Sequence, residues 1–235
     1  KSFALANIAS FALGFSGYAS LFFLSIFLQQ AQSRSPAAAG MRFAPQFVMT
    51  ALTSLLFSRF LQRFELQVLM TGGYFLMGSG MVLMAGFQPQ TSAPTEIACL
   101  LWLGFGMGLA VPATGMAVMN AAPPEQAGIA SATMNALRQT GMSMGIALLG
   151  SLMSRQAIRR MSQALQHAGL PRGDAQAGYA IIHHHLPAGL VAASYREAMA
   201  SGFALAMATA GLVSLIVAAT LWRHRRDSQR SGRPP

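Results

Sequence analysis

The chain has 235 residues, of which 53% are hydrophobic and 9% charged, with a formal net charge of +10. A soluble domain of this length carries about 25% charged residues, so a water-soluble globular protein is excluded. Nucleic-acid binding is excluded as well: the arginines gather at 155–160 and 223–233, beside apolar runs, where cationic side chains meet lipid headgroups.

Charge vanishes between Glu65 and Glu96, between Glu96 and Glu125, and between Glu197 and Arg223. Each gap is long enough for a helix to cross about 30 Å of hydrocarbon, which takes roughly 20 residues. The first predicted span covers about 5–30 and is rich in Phe. The second covers about 41–61, with Pro45 near its start. A polar turn at 58–65 leads to the third, about 66–87, which holds five glycines. The fourth covers about 96–121 and contains Gly104, Gly106, Gly108 and Pro112. The fifth runs from about 126 to at least 155, and the sixth covers about 198–222. The expected division is spans one to five within 1–155, an extracytoplasmic (periplasmic) loop at 156–193, the last span within 194–222 and a basic cytoplasmic tail at 223–235. Lys and Arg split eight to seven between the two sides. Loop charge therefore fixes the orientation only weakly, and the dense tail places the termini inside. Lys1 opens the chain and no signal-peptide pattern precedes the first span, so we expect the polypeptide to continue upstream. Cys99 is the single cysteine, which leaves no intramolecular disulfide.

Three stretches carry the strongest signal. They are Gly104-Phe-Gly-Met-Gly-Leu-Ala-Val-Pro112, Ala122-Pro-Pro-Glu-Gln-Ala-Gly128 and Asn135-Ala-Leu-Arg-Gln-Thr-Gly141-Met-Ser-Met-Gly145. Together with Leu28-Gln29-Gln30, Ser35-Pro36, Ala39-Gly40 and Pro45, they resemble the C-terminal half of a major facilitator transporter. More narrowly, they resemble the fourteen-span drug:proton antiporters of the EmrB/QacA type. The resemblance implies an all-α membrane protein, a six-helix half built from two three-helix inverted repeats. It implies multidrug efflux by alternating access in a bacterial cytoplasmic (inner) membrane. No cofactor and no enzymatic chemistry follow from it. Implied partners are a missing N-terminal half, a lipophilic small-molecule substrate, the bilayer and, in Gram-negative members, a periplasmic adaptor. The segment 155–172 is placed to meet that adaptor, with a solvated loop as the alternative. Two departures stand out. The turn at 58–65 keeps Arg59 and Arg63 but lacks the family's Gly and Asp. In Gly141-x-x-x-Gly145, Ile146 stands where an antiporter motif has Pro.

In the facilitator plan the first and fourth helices line the cavity. The first offers Asn7, Phe11, Phe15, Tyr18 and Phe22 at three- or four-residue spacing, and the fourth offers Trp102, Met107, Met116 and Asn120. Aromatic and Met surfaces suit lipophilic cations; ordinary interhelix packing is the alternative. Gly141 and Gly145 remove bulk from one helix face, for packing or for a hinge, and Gly104, Gly106, Gly108 and Pro112 weaken the fourth span. Arg138 is the charged residue well inside a span, with Asn135 and Gln139 as companions, and such a residue points to function. No acid is expected at mid-membrane, so the proton carriers are placed in the other half. His183-His184-His185 is a poor metal site, being a consecutive triplet without Cys or carboxylate neighbours. The alternatives to multidrug efflux are export of one specific metabolite and a membrane component that transports nothing.

Overall fold

A computed structural model describes residues 2–167 and 190–230. Among them, six helices of 19 residues or more account for nearly all the described residues, with no strand. α1 runs Ser2–Ala31 and widens to π-helical turns at Leu13–Tyr18 and Phe27–Ala31. α2 is Pro36–Leu55; the Ser35 hydroxyl accepts from the Ala38 amide at 3.3 Å, and Pro36 opens the first turn, where its missing N–H costs nothing. α3 is the short helix Phe57–Leu61. α4 is Leu66–Met84, and α5 is Ala93–Asn120 with Pro112 inside it. α6 is Ala127–His167 and α7 is Leu190–Arg230.

Packing follows from where side-chain bulk is missing. α5 lies between α2 and α4, α4 between α5 and α7, and α7 between α4 and α6. α1 lies across this curved row, against α6, α5 and α7. Met77, Met81, Met84, Met107 and Met153 are among the buried side chains of the interior, flexible groups that fill irregular gaps. At one end Phe27, Phe87 and Phe203 stack on one another, with centroids 4.5 Å apart for Phe27–Phe203. At the other, Arg225 of α7 bonds Glu65 at 3.0 Å and lies 5.4 Å from the Trp222 ring.

Among the described residues four helices are long and apolar enough to cross a membrane: Ser2–Ala31, Leu66–Met84, Ala93–Asn120 and the stretch Ala192–Gln229. α2 and α6 fall short because they carry polar rows, Arg42, Gln46, Thr50 and Thr53 in one, Asn135, Arg138, Gln139 and Thr140 in the other.

The expected loop at 156–193 differs from the structure at both ends. α6 continues to His167 and α7 already begins at Leu190. The reason is a second pattern beneath the arginines: Ala157, Met161 and Leu165 recur every fourth residue and are buried. Arg155, Arg159 and Arg160 occupy the opposite, exposed face. The Gln156 amide donates to Ser201 Oγ at 3.0 Å and ties the extension to α7. A helix of 41 residues spans about 61 Å, roughly twice the hydrocarbon thickness. The basic tail is likewise helical to Arg230. The triplet His183–His185 lies outside the described residues.

Candidate functional site

The site begins where α1 crosses α6. Gly141 and Gly145 face the carbonyls of Phe11 and Phe15, and Gly14 faces the carbonyl of Arg138, each so closely that a Cβ would overlap those atoms. Ser10 Oγ donates to the Met134 carbonyl at 3.1 Å. The first π-turn of α1, Leu13–Tyr18, sits on this seam. Such single-turn bulges free backbone carbonyls and re-aim side chains, and they recur at functional sites. On the far side of the same turn Ser16 Oγ lies 2.7 Å from Ser214 Oγ of α7.

A second polar centre adjoins it. Tyr74 of α4 is fully buried; its hydroxyl donates to the Ala9 carbonyl at 2.6 Å and lies 3.1 Å from Thr114 Oγ1 of α5. One hydroxyl thus joins α1, α4 and α5. Arg138 of α6 lies at the α1 crossing, with its carbonyl against Gly14. Its side chain is half-buried, and Nε is buried without a hydrogen-bond partner. Asn7 Oδ1 and Thr71 Oγ1 are buried in the same unpaired way on α1 and α4. Buried polar groups are normally paired. Unpaired groups on three helices, α1, α4 and α6, leave hydrogen-bonding capacity that packing does not use.

The stripe read on one face of α1 divides in the structure. Phe11, Phe15 and Tyr18 are half-buried and Phe22 is exposed, on the side of α1 that the bundle leaves open. Phe11 and Phe15 stack at 6.3 Å. Asn7 turns inward and donates to the Phe3 carbonyl at 3.0 Å. Phe22 also lines a cleft of about 240 Å³ between α1, α6 and α7, together with Gln30, Ile146 and Met199.

The structure does not bring the α5 candidates together. Trp102 is exposed and donates to Ser79 Oγ of α4 at 3.0 Å. Met107 is buried on another side, with its sulfur 3.4 Å from the Gln46 amide of α2. Met116 and Asn120 are exposed, and Asn120 lines a cavity of about 550 Å³ with Phe3, Met70, Leu221 and His224. Gly104 and Gly108 admit α2, whose Gln46 carbonyl and Thr53 side chain lie where Cβ atoms would stand; Gly106 admits the Gly73–Met77 stretch of α4. Thr50 and Ser54 donate to the carbonyls of Gly104 and Gly108 at 3.1 and 3.3 Å. Asn135 and Gln139 are exposed on α6.

Sequence reasoning missed two groups. Tyr74 and Thr114 showed only as isolated hydroxyls in apolar runs. Glu96, expected at the start of the fourth span, is 1% exposed. Gln32 donates to it and Arg42 Nη1 lies 3.9 Å away. The signal was available in a turn that places Gln32 and Arg34 ahead of Arg42. Among the described residues no three His, Cys, Asp or Glu side chains converge as metal ligands.

No family model matches the chain. It is 28% identical over 145 residues to the methylenomycin A resistance protein of Streptomyces coelicolor, covering 62% of this chain and 30% of that protein. It is 29% identical over 167 residues to a tetracycline resistance determinant of Streptomyces rimosus, covering 70% and 48%. It is 27% identical over 223 residues to an uncharacterized MFS-type transporter of Mycobacterium tuberculosis, covering 93% and 32%. The chain is similar to drug-resistance transporters of the major facilitator type. With its apolar helices of spanning length, it is a multi-pass membrane protein. The matched stretch is less than half the length of each of these relatives.

Proposed function

We propose that the chain is the C-terminal, six-span half of a proton-coupled multidrug antiporter in a bacterial inner membrane. The observation that carries this reading is the open face of α1, where Phe11, Phe15, Tyr18 and Phe22 stand in one row beside the half-buried Arg138. An aromatic row takes planar lipophilic cations by stacking and cation–π attraction. The unpaired groups on α1, α4 and α6 supply polar contacts that suit no single substrate. Transport follows by rocking of this half against an N-terminal half about a midplane cavity, as in facilitators built from repeats. α2 and α6, with their polar rows and exposed apolar side chains, are the surfaces that meet the other half. The exposed Arg155, Arg159 and Arg160 on the extension of α6 supply a contact for a periplasmic adaptor.

The test is efflux of a fluorescent lipophilic cation from cells expressing the full-length polypeptide. Arg138→Ala and Phe15→Ala each lower the efflux rate at least about tenfold at unchanged protein level in the membrane, a loss near 1.4 kcal/mol of transition-state stabilisation. Wild-type cells that export no cation overturn the drug reading, and export of a single metabolite by the same cells replaces it.

A further inference from the structure

We propose that Gly150 is a specificity-determining residue, whose missing side chain holds open an apolar cleft for an uncharged arm of the transported cation; this rests on the efflux reading above. Along α6, Gly141 and Gly145 sit where the carbonyls of Phe11 and Phe15 take the space of a side chain. Gly150 does not. A Cβ at this position would meet only ring carbons of Phe23, at 3.6 and 3.8 Å, which is ordinary contact. Glycine inside a helix is destabilising relative to alanine, and at Gly150 no close approach of a neighbouring backbone offsets that loss.

What Gly150 borders is space. α1 and α6 touch backbone to backbone as far as Gly145, then part. Phe22, Phe23, Ile146, Met153 and Met199 enclose about 240 Å³ in the wedge between α1, α6 and α7. Phe23, Met153 and Met199 are buried at its floor, and Phe22 is exposed at its mouth, edge-on to Phe23 with centroids 5.5 Å apart. The lining carries no charged side chain, and its polar side chains are Gln30 and Ser154. Such a lining takes an alkyl chain or a ring and rejects a charge.

The occupant follows from continuity. Phe22 belongs both to the aromatic residues of α1 and to the cleft, and it lies four residues, about 6 Å along the helix, beyond Tyr18. A cation held against those aromatic rings brings a substituent of a few carbons to the mouth of the cleft. The charged centre stays by the rings through cation–π attraction, and the uncharged arm enters between α1, α6 and α7. Each CH₂ the cleft buries raises affinity about fourfold.

The experiment is equilibrium binding of two probes to the purified full-length polypeptide, methyltriphenylphosphonium and hexyltriphenylphosphonium, which share the charged head and differ in the arm. The ratio of the two affinities is compared between variants, so that partition into detergent cancels. Gly150→Leu fills the cleft and lowers the hexyl-over-methyl ratio about tenfold or more, with the methyl affinity unchanged. Gly150→Ala, whose Cβ fits, keeps the wild-type ratio, and so does Gly128→Leu, which projects into open space. Ile146→Phe fills the same cleft from a second position and lowers the ratio likewise, so a Gly150→Leu protein that fails to fold leaves the test intact. A folded Gly150→Leu protein with the wild-type ratio overturns the proposal, as does a wild type that binds neither probe. Loss of a co-purified phospholipid from Gly150→Leu with the ratio unchanged also overturns it and assigns the cleft to an acyl chain. A ratio that falls in Gly150→Leu, in a protein whose cells export neither cation, sustains the cleft and overturns the efflux reading. Export of both cations with one ratio in all variants overturns the cleft alone.

Discussion

The seam between α1 and α6 and the seam between α2 and α5 are built from the same device and do different things. In both, glycines on one helix let the backbone of the next approach: Gly141 and Gly145 receive the carbonyls of Phe11 and Phe15, and Gly104 receives that of Gln46. The difference lies in what surrounds them. α1 is gripped from several sides, by Tyr74 at Ala9, by Ser214 at Ser16 and by α6 along its length. α2 rests on α5, with hydroxyl bonds from Thr50 and Ser54 and the Arg42–Glu96 pair at its end, and leaves its outer face exposed. The same close packing is enclosed on several sides in the first seam and open on one side in the second.

Breaking the first seam gives the largest effect. Gly141→Leu forces side-chain atoms into the Phe11 carbonyl, where backbone must move, and costs about 1–3 kcal/mol or more. Gly128→Leu, with open space around it, stays within about 0.5 kcal/mol. Thermal unfolding of the two purified variants separates them by many degrees, and equal melting contradicts the seam. Breaking the second seam is milder and local. Gly108→Val meets Thr53 and raises proteolytic cleavage within 36–55 while α1 and α6 remain resistant. Tyr74→Phe removes the hydroxyl that joins three helices and leaves the Thr114 hydroxyl with only its bond to Ala110, a loss of about 1–2 kcal/mol in chemical unfolding. The smallest change comes from Arg225→Ala, whose partner Glu65 is mostly exposed; an exposed pair contributes about 0–1 kcal/mol, and that contribution falls with added salt.

Much of this was legible in the residues. Gaps in charge marked the third, fourth and sixth spans, which are α4, α5 and α7. What was hidden has physical causes. Arg155, Arg159 and Arg160 looked like a span end, because exposed charge masks the buried row Ala157, Met161 and Leu165 on the other face. Trp102 and Met107 were grouped by helix, yet five residues place them about 140° apart, so one faces α4 and the other α2. Tyr74 and Thr114 meet across two helices 40 residues apart in sequence, a pairing no local pattern encodes. Glu96 sits at a helix end where acids usually meet water, and only the folding of the preceding turn over it removes the water.

A six-span half requires that α2 and α6, the two polar-rowed helices, also cross the membrane. The direct measurement is labelling of single cysteines by a membrane-impermeant maleimide in intact cells, in the full-length polypeptide carrying Cys99→Ser. Ser33→Cys, Arg63→Cys, Gln90→Cys, Glu125→Cys and His167→Cys place the thiol at exposed sites between the helices. The account predicts that Ser33→Cys, Gln90→Cys and His167→Cys label from outside, while Arg63→Cys and Glu125→Cys label only after permeabilisation. If Ser33→Cys and Arg63→Cys, or Glu125→Cys and His167→Cys, label from the same side, α2 or α6 does not cross and the six-span half is contradicted.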